Sequence, residues 1–202
     1  GALDVQSLEA EGFIPEDISI IQTLADQIAV AIGNAGQYTR EQARSQVMAS
    51  LVEASSELTN PQINMEALLT FAARRAIRLL KSNDSAVWLP IGRDEIELKS
   101  QINSPQNMGR RLKRNEGLAG RVFASGEAIR LDDYSDWEGR SSKFDDAPFH
   151  AALAVPMKWQ NDVVGVLVVT KNQLGNVFTE DDQRIAELFA TMAASAIENA
   201  NL

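Results

Sequence analysis

The sequence predicts an α+β domain with an antiparallel sheet, and three features carry that reading. Apolar residues recur every three to four positions near both ends. Between them lie short runs of alternating or fully apolar residues. These runs are joined by loops short enough for hairpins, which favours antiparallel pairing. The expected order is helix, two strands, a mixed connector, two or three strands, and a closing helix.

Asn64 is a cap for a helix running through Met65, Leu68, Leu69, Ala72, Ala76, Ile77 and Leu80, with Glu66 in its electropositive first turn. Residues 85–91 and 96–102 flank Gly92-Arg93-Asp94-Glu95, a hairpin signal with glycine in the loop. Residues 117–125 read as a short helix and 128–131 as a strand. Residues 150–159 and 163–170 form a second hairpin across Gln160-Asn161-Asp162. Pro156 cannot donate to a ladder, so it marks an edge or a bulge. The last helix carries a seam of Ala186, Phe189, Ala193, Ala196 and Ala200, without a glycine or proline stop.

The 202 residues suffice for one ordinary domain with a remainder, not for two complete cores. Composition is globular, at 45% hydrophobic and 23% charged. No apolar run approaches the ~20 residues of a spanning helix. The absence of cysteine excludes disulfides, thiolate metal sites and cysteine nucleophiles. Net charge is −9, and residues 1–42 contain seven acids against Arg40 alone. That field repels phosphate backbones. The basic run Arg110, Arg111, Lys113 and Arg114 lacks interleaved aromatic residues and is expected to be a solvated loop. No nucleic-acid partner and no membrane insertion are expected, and the expected location is cytoplasmic. A chain that opens on Gly1 reads as a piece of something longer.

The two ends of the chain resemble each other. Gly1, Leu3 and Val5 echo Gly165, Leu167 and Val169. Phe13, Asp17, Ile20, Ala25, Ala31, Ile32, Asn34 and Ala35 recur as Phe178, Asp182, Ile185, Ala190, Ala196, Ile197, Asn199 and Ala200. Both copies read as strand, loop, helix. In the first copy the helical stripe is Ile21, Leu24, Ile28, Ala31, Ala35 and Tyr38. It resumes in a shifted register as Val47, Leu51, Ala54 and Leu58, giving a long, interrupted linker helix that ends at Asn60-Pro61. Residues 1–44 are therefore assigned to the last strand and helix of a preceding module with the start of the linker, and residues 45–202 to a complete module. Ile28, Tyr38, Val47, Leu51 and Leu58 are candidates for pairing with a second copy. The terminal seams suit core packing within a subunit or parallel pairing between two.

Gly117-Leu118-Ala119-Gly120-Arg121-Val122, Asp132-Asp133-Tyr134, Trp137-Glu138-Gly139-Arg140, Leu153-Ala154-Val155-Pro156, Gly165-Val166-Leu167, Phe178-Thr179-Glu180 and Asn199-Ala200 appear in an order that resembles the GAF domain family. Such domains occur in tandem in bacterial sensor histidine kinases and related two-component signalling proteins. The resemblance implies a central antiparallel sheet of five to six strands, terminal helices on one face and a ligand pocket on the other. It also implies a preceding GAF-like domain upstream and a linker similar to the signalling helices of such proteins.

The resemblance puts the pocket wall in residues 132–150. Tyr134, Trp137, Phe144 and His150, with Arg140 and Asp133, are the candidate ligand-binding residues. A loop pinned by its own aromatic residues is the competing reading. His150, the only histidine, has haem ligation as a minor alternative to an ordinary polar role. Bilin attachment in such domains needs a cysteine, and so does methionine sulfoxide reduction. Lys171, Phe178 and Asp182 match part of a pattern in cyclic-nucleotide-binding GAF domains, where a Lys-Asp pair braces the fold; Thr170 and Gln183 depart from it. Asp132, Asp133, Asp136, Asp145 and Asp146 match no metal-loop spacing and read as turn chemistry. No nucleophile–base arrangement stands out, so no catalysis is expected.

The expected function is thus a non-enzymatic sensory module. It binds an unidentified small molecule, with no cofactor assignable, and relays helix packing to an output domain, as a homodimer through its terminal and linker helices. The alternative is a structural dimerisation and relay module with no ligand.

Overall fold

The computed structural model describes residues 1–6, 12–32, 49, 64–144 and 148–201. The chain divides into two compact units, Gly1–Ala49 and Ser50–Leu202.

In the first unit, residues 15–32 form helix α1. Pro15 occupies the first helical position, where a missing N–H costs nothing. The Ile14 N–H donates to Asp17 Oδ2 at 3.0 Å, closing the helix start. The strand expected at Gly1, Leu3 and Val5 does not form, and residues 1–6 have no regular structure. A strand needs a ladder partner for its backbone groups, and none is at hand among the described residues. Leu24 and Ile28 of the predicted stripe are 49% and 47% exposed. Tyr38, Val47, Leu51 and Leu58 lie outside the described residues.

The second unit runs α2 (Met65–Leu80), β1 (Asp84–Pro90), β2 (Glu95–Gln101), β3 (Arg111–Lys113), α3 (Gly117–Ser125), β4 (Ile129–Leu131), β5 (Ala151–Trp159), β6 (Asp162–Lys171) and α4 (Glu180–Asn201). Single 3-10 turns occur at Pro105–Asn107 and Ser142–Phe144. The six strands form one antiparallel sheet in the order β3-β2-β1-β6-β5-β4.

Local chemistry sets the helix ends. Asn64 Oδ1 accepts the Ala67 N–H at 2.8 Å at the start of α2. Lys81 ends it in the left-handed conformation, its N–H donating to Ile77 O. At α4 the Thr179 N–H donates to Asp182 Oδ2 at 2.8 Å while Thr179 Oγ1 accepts the Asp182 N–H at 3.1 Å, a reciprocal capping box.

Strand alternation gives the sheet two buried faces. Ala86, Trp88, Ala152, Ala154 and Val166 join Leu118, Ala119, Val122 and Phe123 of α3 in one cluster. The intervening Val87, Leu153, Val155, Leu167 and Val169, also buried, point to the other face, where α2 and α4 pack on the sheet and on each other. Ala186, Phe189, Ala193 and Ala196 of the predicted seam are buried, with Ala190, Ala194 and Ile197, whereas Ala200 is exposed. This seam is thus part of the domain core.

Pro156 pairs with Val166 beyond Ala154, the last β5 residue paired with β4, and just before a bulge at Met157/Lys158. The expected edge and bulge therefore both occur. The basic run is a correction. The run forms the three-residue strand β3 rather than a loop, with Leu112 buried while Arg111, Lys113 and Arg114 stay exposed. Arg111 pairs with Glu97 at 3.1 Å, and Arg114 donates to Arg93 O and Ala124 O with its guanidinium 4.7 Å from the Phe123 ring centroid.

Candidate functional site

On the α3 face, a cavity of about 340 Å³ opens between the sheet and Tyr134, Lys143, Phe144, Pro148 and Phe149 of the loops between β4 and β5. That is within the size range of small-molecule sites. Its floor is laid by neighbouring strands. Register sets Asp84 against Thr170, Ala86 against Val168 and Ala86 against Gln101, so these side chains share one face. All five line the cavity, and the small Ala86 and Ala119 leave space that larger residues would fill.

One end of the cavity is polar. Asp84 is buried, and its Oδ1 accepts the N–H groups of Ser85 at 2.7 Å and Asn103 at 2.9 Å. Its Oδ2 accepts Gln101 Nε2 at 2.7 Å. The opposite wall is aromatic. Phe144 meets Trp88 edge-on at 6.0 Å, and Tyr134 lies 4.8 Å from Phe149. At the rim, Arg110 donates to Lys143 O and its guanidinium stands 5.1 Å from the Phe144 centroid.

Glu116, just before α3, holds the wall in place. Its Oε2 accepts the Lys113 N–H at 3.0 Å, and its Oε1 accepts Ser141 Oγ and Lys143 Nζ, both at 2.9 Å. Burial works to raise its pKa. The bonds from Lys113, Lys143 and Ser141, with the charge of Lys143, outweigh that and leave it below the ordinary glutamate value. The two glycines of the 117–122 motif permit this packing. Gly117 has φ +62°, and a Cβ there would stand 3.1 Å from Ser141 Cβ. A Cβ on Gly120 would stand 2.4 Å from Lys113 O.

Of the six candidate ligand residues, Tyr134 and Phe144 line the cavity. Trp137, Arg140, Asp133 and His150 are not among its lining residues. Trp137 packs against the α3-side core, under Arg121 at 4.9 Å, and its ring covers Gly139, where a Cβ would come within 2.5 Å of it. The exposed Arg140 closes a backbone turn onto Trp137 O. Asp133 accepts Ser135 N–H and Oγ at 2.8 and 2.6 Å. These bonds, more than the nearby His150, lower its pKa. His150 Nδ1 is 3.8 Å from Asp133 Oδ2, while the His150 backbone ties the connector to the sheet by accepting from Tyr134 N and donating to Lys171 O.

Lys171 and Asp182 are not brought together. Lys171 is buried, donates to Val177 O at 3.0 Å and stands 4.4 Å over the Phe178 ring, whereas Asp182 is committed to the Thr179 cap. Both brace the same turn independently. No group of three or more metal-ligating residues converges among the described residues; Asp145 and Asp146 lie outside them.

Sequence reasoning missed the polar end. Its signal was a pair of polar residues, Asp84 and Thr170, in alternation with the apolar Ala86 and Trp88 of β1 and Val166 and Val168 of β6.

The sequence model of the GAF domain matches residues 62–198, and the chain belongs to that family. Among curated proteins, it is 22% identical over 218 aligned residues to the dual 3',5'-cyclic-AMP and -GMP phosphodiesterase 11A of Takifugu rubripes. That alignment covers 96% of this chain and only 24% of the relative. The fold is similar to the GAF domain of a phosphoenolpyruvate-protein phosphotransferase from Coxiella burnetii, with TM-score 0.68, 23% identity, and coverage of 77% of this chain and 94% of that one. It is also similar to free methionine-R-sulfoxide reductase from Neisseria meningitidis, with TM-score 0.64, 18% identity, and coverage of 79% and 92%. No helix among the described residues is long and apolar enough to cross a membrane.

Proposed function

We propose that this GAF domain is a non-catalytic sensory module of a cytoplasmic signal-transduction protein. It holds a small molecule between sheet and connector and passes a change in helix packing to an output domain. The cavity of about 340 Å³, with one polar end and one aromatic wall, is the observation that carries this reading. Its placement supports the relay: the cavity lies on one face of the sheet, and α2 and α4 pack on the other. A ligand shifts such a packing equilibrium by the difference in its affinities for the two states. The cysteine-free sequence supports a non-catalytic role by removing thiol chemistry. The first unit is the end of an upstream GAF-like domain, and the protein works as a homodimer. The exposed Leu24 and Ile28 on α1 support pairing there with a second copy.

The test is mass spectrometry of small molecules released from the purified chain, with a thermal-shift screen of nucleotides, amino acids and amines. A retained molecule or a rise in Tm is expected. No released molecule and no shift across all three classes would favour the ligand-free dimerisation and relay reading. Sedimentation of wild type beside Ile28→Glu tests the pairing, and an unchanged mass overturns it.

A further inference from the structure

We infer that the cavity recognises a protonated nitrogen, an ammonium or amidinium group on an apolar or aromatic body, with Asp84 and Gln101 as its receptor. This rests on the cavity being a ligand site and names the chemistry that site selects.

Asp84 is 8% exposed, yet it makes none of the ion pairs among the described residues. Its three donors, Ser85 N, Asn103 N and Gln101 Nε2, are all neutral. They offset the loss of water but bring no positive charge to the carboxylate at the cavity end. Buried charge of this kind is ordinarily matched by an opposite one. The two cations that line the cavity are engaged elsewhere. Arg110 is held by Lys143 O and Phe144, and Lys143 by Glu116 and Arg111 O.

Gln101 adds an independent observation. Its Nε2 is turned onto the carboxylate, which fixes the amide the right way round, since a carboxylate oxygen accepts only from a donor. The Oε1 atom is then an acceptor, and it is buried without a hydrogen-bond partner. An unpaired acceptor beside an uncompensated anion calls for a donor that also carries positive charge. Trp88, Tyr134, Phe144 and Phe149 supply the surface for the rest of the molecule. An anionic molecule of the same size would meet Asp84 wherever its charge reached the polar end.

Three probes that share a phenylethyl body test this on the 202-residue chain: phenethylamine, 2-phenylethanol and 3-phenylpropanoate. Each is measured by thermal shift and calorimetry at neutral pH. Phenethylamine is expected to bind most tightly and the carboxylate most weakly. Asp84→Asn is expected to reduce amine affinity about tenfold or more and alcohol affinity much less, and Gln101→Met to reduce amine affinity several-fold. Where circular dichroism shows that Asp84→Asn does not fold, Gln101→Met decides. Equal binding of amine and alcohol, or amine affinity unmoved by the deciding variant, overturns the charge recognition and leaves the ligand site standing. Failure of all three probes to bind wild type overturns this inference. The ligand-site reading falls only if the broader screen also returns nothing.

Discussion

Glu116 and Lys143 form a 2.9 Å ion pair that ties the start of α3 to the turn carrying Phe144, so one carboxylate fixes the position of the cavity's aromatic wall. Its pKa lies below the ordinary value of 4.5, so its stabilising effect is complete above that value. It is lost as pH falls below 4.5 through the folded-state pKa. Glu116→Gln is expected to unfold at lower urea than wild type at pH 7, with the gap closing in the acid range. A gap that stayed constant from pH 7 into that range would refute the linkage.

The Trp137 ring lies over Gly139 and outside the cavity lining, whereas Phe144 is part of it. Trp137→Ala should lower stability by ~3 kcal/mol without changing the affinity of a cavity ligand. Phe144→Ala should weaken that affinity with a smaller stability loss. Calorimetric titration of both variants with one ligand separates the roles, and a reversed pattern would place Trp137 at the ligand.

Gly120 admits no side chain, because a Cβ would sit 2.4 Å from a backbone carbonyl. Gly120→Ala is expected to cost ~1–3 kcal/mol as α3 is pushed off β3. Urea titration checks this, and a neutral substitution would mean that the helix shifts freely.

Lys171 and Asp182 support the same turn through separate bonds. Asp182→Ala should cost ~1 kcal/mol through loss of the cap. Lys171→Met should cost ~1–3 kcal/mol, since it leaves Val177 O without its donor. The double variant should be additive within ~0.5 kcal/mol. A larger coupling energy would restore the direct pair that the sequence suggested.

Much of the fold was legible because its signals are local. Alternation and turn residues located both hairpins, and Gly126, at φ +67°, ends the helix predicted over Gly117–Ser125. The strand β3 was not legible, since Arg-Leu-Lys offers one apolar residue to a pattern search and its pairing with β2 supplies the rest. The cavity was half visible. Aromatic density pointed to Tyr134 and Phe144 but equally to Trp137, whose local turn hides its ring against Gly139. Asp84 and Thr170 are distant in sequence and meet only through β1–β6 register, which no local pattern encodes.

Two helix starts share one capping bond. Asp17 accepts from Ile14 N as Asp182 does from Thr179 N, at matching positions of the two copies.

Asp84, Gln101 and Thr170 stand on three adjoining strands whose ladder fixes their spacing, while Tyr134, Phe144 and Phe149 lie outside the strands. If the cavity holds a ligand as proposed, its charge and its size would be gauged by separate parts of the polypeptide. Descendants of this domain could lengthen or trim the connector to admit bulkier or slimmer guests, and the electrostatic preference written into the strands would survive the change.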